Sequence, residues 1–170
     1  WKKYFNLNKN IFMVKNNMWR YEEYKIITDL LSKEQPELLR ILWLNKDRIP
    51  SPGSWFTTKE LAFGGVSRDL LPHLLSLMMV IEPNYRNTNW TFKQVWQRWT
   101  LDDLKDSDYG EVDPNGVYNV DDSVELEGTV KGKKWTIKAN WRSNSHDDVA
   151  IYFDEYKIPL GLCPEYAYKA

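Results

Sequence analysis

Apolar residues recur at two different spacings in the two halves of the chain. From Met18 to Ser32, the residues Trp19, Tyr24, Ile27, Leu30 and Leu31 fall at helical intervals and predict one buried face. Gln35-Pro36-Glu37 predicts a second helix start, since proline is tolerated in a first turn, with Leu38, Leu39, Leu42 and Trp43 as its stripe. Ile49-Pro50-Ser51-Pro52-Gly53 stops it. Thr57-Thr58-Lys59-Glu60 fits a capping box, in which the Thr57 hydroxyl and Glu60 satisfy each other's end of the first turn. Gly64-Gly65 breaks that short helix. A further helix is predicted from Asp69 to Met78, with Leu70, Leu71, Leu74, Leu75 and Leu77 mostly inward. Val80-Ile81-Glu82-Pro83 reads as extended, because the residue before proline is pushed out of the α region. After a polar loop, Phe92, Val95, Trp96 and Trp99 predict a helix from about Thr91 onward.

Beyond residue 116 the spacing drops to two. Val124, Leu126 and Val130 alternate with polar residues, Lys131-Gly132-Lys133 is a hairpin-type turn, and Trp135, Ile137, Ala139 and Trp141 alternate again. Val149, Ile151 and Phe153 alternate a third time, which predicts an antiparallel meander with one apolar face. The expected fold class is α+β, a helical unit over residues 13–105 followed by a small antiparallel β-meander. Residues 1–12 are an N-terminal extension, 106–116 an acidic linker, and 117–170 the β unit with its C-terminal tail.

Composition narrows the class. The 170 residues are 42% hydrophobic, which supports a packed core, and the one cysteine, Cys163, excludes an internal disulfide. No apolar run is long enough for a transmembrane helix, so a soluble, cytoplasmic protein with no membrane contact is expected. Residues 1–100 carry 15 Lys and Arg against 9 Asp and Glu, and residues 101–170 carry 8 against 15. Two such halves suit different partners, or attract each other.

The segment Phe56-Thr57-Thr58-Lys59-Glu60-Leu61-Ala62, then Gly65-Val66-Ser67-Arg68, then Leu71, Leu74, Leu75 and Leu77 resembles the winged helix-turn-helix superfamily over residues 36–95. The resemblance implies a winged-helix-like unit whose second helix enters the major groove. It further implies that Ser67, Arg68, Asp69 and His73 face double-stranded DNA, with Tyr85, Arg86 and Asn87 on the wing near phosphate and Lys59 close by. Two departures stand out. The turn after Ala62 is compressed, and Pro72 costs a hydrogen bond if the helix is capped at Ser67 but falls at a position with no partner to lose if it is capped at Asp69, the preferred start. The basic residues are scattered along residues 57–98; clustering of Lys59, Arg68, Arg86, Lys93 and Arg98 on one face would favour DNA, and their dispersal a protein partner.

The chemistry visible in the chain is sparse. Acidic residues from Asp102 to Asp113 lack the ordered ligands of a calcium loop. His146 beside Ser145 and Asp147 is adjacent in sequence, whereas triads assemble from distant positions. There is no phosphate-binding glycine loop and no paired acid, base and nucleophile, so no cofactor, no metal and no enzymatic activity are expected. The sequence therefore points to a DNA-binding regulator or DNA-associated accessory protein. The alternative is a protein-interaction module of adaptor, inhibitor or immunity type. For the acidic C-terminal part, a protein partner or a second copy is expected. Trp135 and Trp141 are its candidate interface, unless helices cover their face and make them core.

Overall fold

A computed structural model of the chain describes residues 21–160, apart from 97, 105–108, 144–147 and 155. Cys163 and His146 lie outside the described residues.

The first helix, α1, runs Tyr21–Glu34. Ile27 is fully buried, and Tyr24, Leu30 and Leu31 pack against the same core, as the helical spacing predicts. Gln35 closes the helix in the left-handed region, at φ 48°.

The expected helix after Pro36 is a strand. Strand β1, Leu38–Leu44, buries Leu39 and Ile41 while Leu38 and Arg40 stay exposed, the two-residue period of a sheet. It lies between β4 (Lys133–Asn140), to which it runs parallel, and β5 (Asp148–Phe153), to which it runs antiparallel. A partner on either side pairs Leu39–Leu44 along both edges, and this tertiary pairing outweighs a leucine-rich helix propensity. The expected helix from Thr91 is also a strand, β2 (Thr91–Trp96). Its pairing with β3 (Asp121–Val130) sets Lys93 beside Glu125.

The sheet has six strands in the order β2-β3-β4-β1-β5-β6, with β6 at Tyr156–Pro159. The helical unit followed by a separate meander is thereby replaced by one mixed sheet in which β1 is inserted between β4 and β5. Among the described residues only the β1–β4 pairing is parallel. The β3–β4 hairpin turns on Lys131 and Gly132, at φ 51° and 81°, the left-handed pair that matches strand twist.

Three short helices between β1 and β2 are α2 (Lys59–Ala62), α3 (Val66–Asp69) and α4 (Leu71–Ile81). The capping box does not form at α2. Thr58 is the cap and makes no side-chain cap bond, its hydroxyl donating to the Ser54 carbonyl at 3.0 Å, while the Thr57 hydroxyl accepts from Gly53 N–H and donates to the Val117 carbonyl, at 2.9 and 2.8 Å. The helix expected to begin at Asp69 is divided. Asp69 ends α3, Leu70 caps α4, and Pro72 sits in the first turn, where its missing N–H costs nothing. Val80 and Ile81, expected extended, complete α4.

Val66, Leu74, Leu77 and Met78 press onto one sheet face, where they meet Leu39, Ile41, Ile137, Ala139, Ile151 and Phe153. Trp135 and Trp141, at 2% and 0% exposure, are buried in the same core. The opposite face carries a ladder of charge, with Lys93 Nζ 2.7 Å from Glu127 and Lys138 Nζ 3.3 Å from Glu125. Among the described residues, no helix is long and apolar enough to cross a membrane.

Candidate active site

A cleft of about 230 Å³ opens beside the junction of α3 and α4. Its walls come from separate stretches of the chain: Trp43 and Asn45 at the end of β1, Arg48 and Pro50 in the loop beyond, Asp69 and His73 on the helices, and Tyr109 and Trp141 from far along the chain.

Asp69 and His73 are four residues apart. The backbone bonds Leu70 N–H to Val66 O and Leu74 N–H to Leu70 O carry the helical path across the junction, so this spacing sets both side chains on one face. Burial pushes the Asp69 carboxyl above the usual aspartate range. The Trp141 indole and the nearby His73 pull it back down without cancelling that rise. Trp141 Nε1 donates to Asp69 Oδ2 at 2.8 Å. The His73 ring lies 5.9 Å from the Trp43 ring, tilted by 42°.

The remaining walls are held by their own bonds. Trp43 Nε1 donates to Asn45 Oδ1 at 3.1 Å, and Asn45 N–H donates to Asn140 Oδ1 at 3.1 Å. The Arg48 N–H donates to the Trp141 carbonyl at 2.7 Å, which ties the loop to the end of β4. Trp141 thus supports two walls, one through its backbone and one through its indole. Aromatic faces, an amide, a guanidinium and an acid–imidazole pair around a small cleft suit a polar, polyhydroxylated ligand. The pair itself suits proton transfer. A neutral imidazole accepts a proton near neutral pH, and a desolvated carboxylate close by stabilises the resulting cation.

A dinucleotide does not fit the described residues. Its usual cradle is a glycine turn that opens a helix after a parallel strand. Gly64-Gly65 opens α3, but the Asp121 carboxylate already occupies that helix start. It accepts from Gly65 N–H at 2.9 Å and from Ser67 N–H at 2.7 Å. A phosphate there would meet a fixed anion.

Of the residues expected at DNA, Asp69 and His73 are brought together in the cleft. The others scatter. Ser67 holds Asp121, and exposed Arg68 lies on the same short helix. Lys59 Nζ lies 4.6 Å over the Trp96 ring, and Arg86 Nε donates to the Tyr85 hydroxyl at 2.8 Å. Asn87 ends the short helical turn Pro83–Asn87. Lys93 is engaged with Glu125 and Glu127 on the open sheet face, and Arg98 with buried Asp122. Trp43, Asn45, Arg48 and Tyr109 are not singled out by the sequence. The spacing Asp69-x-x-x-His73 is the one signal there that could have marked the site.

No family model and no curated protein matches the sequence. Solved structures do match the fold. Levoglucosan dehydrogenase in complex with NADH and levoglucosan aligns at TM-score 0.58 and 16% identity, over 92% of this chain and 42% of that one. GenD2 from gentamicin A biosynthesis, in complex with NAD, aligns at TM-score 0.50 and 14% identity, over 79% of this chain and 35% of that one. An NAD binding oxidoreductase from Klebsiella pneumoniae aligns at TM-score 0.50 and 18% identity, over 76% of this chain and 33% of that one. These neighbours overturn the winged-helix resemblance, and with it the DNA-binding regulator and the expectation of no enzymatic role. A winged helix has no six-stranded mixed sheet, and the residues thought to form its first helix and its later helix are strands β1 and β2. The chain shares the sheet fold of these neighbours and spans 42% of the length of the levoglucosan dehydrogenase it resembles.

Proposed function

We propose that this chain is the substrate-holding, proton-transferring part of an NAD-linked oxidoreductase acting on a sugar or related polyol. The observation that carries the reading is the cleft in which desolvated Asp69 lies one helical turn from His73, in a fold shared with a dehydrogenase of levoglucosan. Oxidation of a secondary alcohol removes a proton from oxygen and a hydride from carbon.

This chain's residues account for the proton. His73 takes it from the substrate hydroxyl, and the Asp69 carboxylate stabilises the imidazolium that forms. Trp141 keeps Asp69 turned toward the cleft by its 2.8 Å bond. Trp43 and Tyr109 offer apolar ring faces to the carbon skeleton, with buried Trp141 behind them. Asn45 and Arg48 offer hydrogen bonds to its oxygens.

The test is titration of the intact protein with levoglucosan and with L-sorbose, the sugars named in complexes of the structural neighbour. The ring signals of the two histidines are followed by NMR. Binding that shifts His73 and that weakens at least tenfold in H73A is expected. A sugar-independent His73 signal at saturating concentrations of both sugars would refute the site.

A further inference from the structure

Asp121 opens β3 with no exposed surface. A carboxylate removed from water is costly unless its oxygens are filled by donors. Here the donors belong to another element. Oδ1 accepts from Gly65 N–H at 2.9 Å and from the Ser67 hydroxyl at 3.0 Å, and Oδ2 accepts from Ser67 N–H at 2.7 Å. These groups open α3, whose own cap residue, Gly65, makes no side-chain cap bond. A helix end leaves such N–H groups without intrahelical partners, so Asp121 caps α3 from across the fold.

The backbone closes the same contact. A Cβ on Gly65 would fall 2.0 Å from the Asp121 carbonyl oxygen, so the helix start lies flush on the strand. Helix α3 has only four residues and cannot hold its own direction in isolation. Its last residue is Asp69. One end of the helix is therefore set by Asp121 and the other by Trp141, whose indole donates to Asp69. These two anchors share a corner of the sheet, because the Trp141 N–H donates to the carbonyl of Asp122, the next residue after Asp121, at 3.2 Å.

We propose that Asp121 is a positioning residue for the cleft: through Gly65 and Ser67 it sets the direction of α3 and so aims Asp69 at Trp141 and His73. The proposal rests on the reading of Asp69 and His73 as the proton-transfer pair. Asp121 touches neither of them and handles no proton itself.

The test uses D121N and S67A in the intact protein. D121N keeps the shape but turns one oxygen into an N–H₂ group, which faces a donor at Ser67 or Gly65. S67A removes one of the three bonds and leaves the charge in place. The readouts are the Trp141 indole N–H resonance, assigned with W141F, and the His73 ring resonance, separated from His146 with H146Q. Amide resonances of Ile41 and Ile151 report the sheet core. We expect D121N to move the Trp141 and His73 signals with the core signals unchanged, and to weaken levoglucosan binding at least tenfold. S67A should move the same two signals less, in the same direction. A folded D121N with both signals unmoved overturns the proposal. Should D121N fail to fold, unmoved signals in S67A overturn it. The underlying reading fails separately. If D69N and H73A bind levoglucosan and L-sorbose as the parent does while D121N still moves the two signals, the positioning stands and the assigned chemistry falls. If D69N and H73A lose binding while D121N keeps both signals and affinity, the positioning falls.

Discussion

Replacing Trp141 with phenylalanine isolates the bond that holds Asp69. Trp141 is fully buried, and its Nε1 donates to Asp69 Oδ2 at 2.8 Å. A hydrogen bond to a charged group contributes about 1.5–3 kcal/mol. Trimming indole to phenyl also leaves roughly 40 Å³ unfilled, at ~24 cal/mol per Å³ about 1 kcal/mol more. The expected loss is therefore about 2.5–4 kcal/mol with Asp69 ionised. Its pH dependence identifies the cause. The Asp69 carboxyl lies above its ordinary range because burial disfavours the charge, so the folded state binds its proton more tightly than the unfolded chain does. Stability from this group is then full below the ordinary aspartate range and falls as pH rises to the folded value, beyond which it is flat. The Trp141 bond lowers that folded value, and removing the bond raises it further. In W141F the decline accordingly continues to higher pH. The destabilisation should be smaller in acid, where only the cavity and a neutral hydrogen bond of about 1 kcal/mol are lost, and should reach its full size above the folded value. Urea unfolding followed by circular dichroism at a series of pH values measures this. A destabilisation of equal size at every pH, or one whose pH dependence persists in the D69N background, would refute the reasoning.

Further expectations concern the same corner of the fold. D69N removes the charge while keeping an oxygen that accepts from Trp141. Its melting temperature should exceed the parent's at neutral pH, and the advantage should vanish as pH falls below the ordinary aspartate range; a constant offset contradicts the cause assigned to the shift. G65A forces a Cβ against the Asp121 backbone and should cost at least about 1–3 kcal/mol in chemical denaturation, with neutrality speaking against the close approach of α3 to β3. W135A should cost about 3–5 kcal/mol without altering the apparent mass in solution, since the residue is core; a change in oligomeric state with stability intact would return it to an interface.

Where a segment's neighbours are local, the residue pattern reads directly. Helix α1 follows from the spacing of Tyr24, Ile27, Leu30 and Leu31, and the β3–β4 hairpin follows from alternation on either side of Lys131-Gly132. Leu38–Leu44, with the sequence Leu-Leu-Arg-Ile-Leu-Trp-Leu, satisfies a helical stripe and a buried strand alike. The partners that settle it, β4 and β5, lie roughly a hundred residues later, and no period within the segment records them. The same distance explains the wrong architecture: β1 enters the sheet between strands that the sequence alone presents as consecutive. At the site, Asp69 and His73 were within reach, because a four-residue spacing on a helix is a local fact. Their meaning was not. An aspartate and a histidine on a helix serve equally well at a DNA groove or in a cleft until Trp43, Asn45, Arg48, Tyr109 and Trp141 close around them. The desolvation that raises the Asp69 carboxyl and the indole that aims it are properties of that enclosure, which exists only once the sheet has brought the end of β4 to the end of α3.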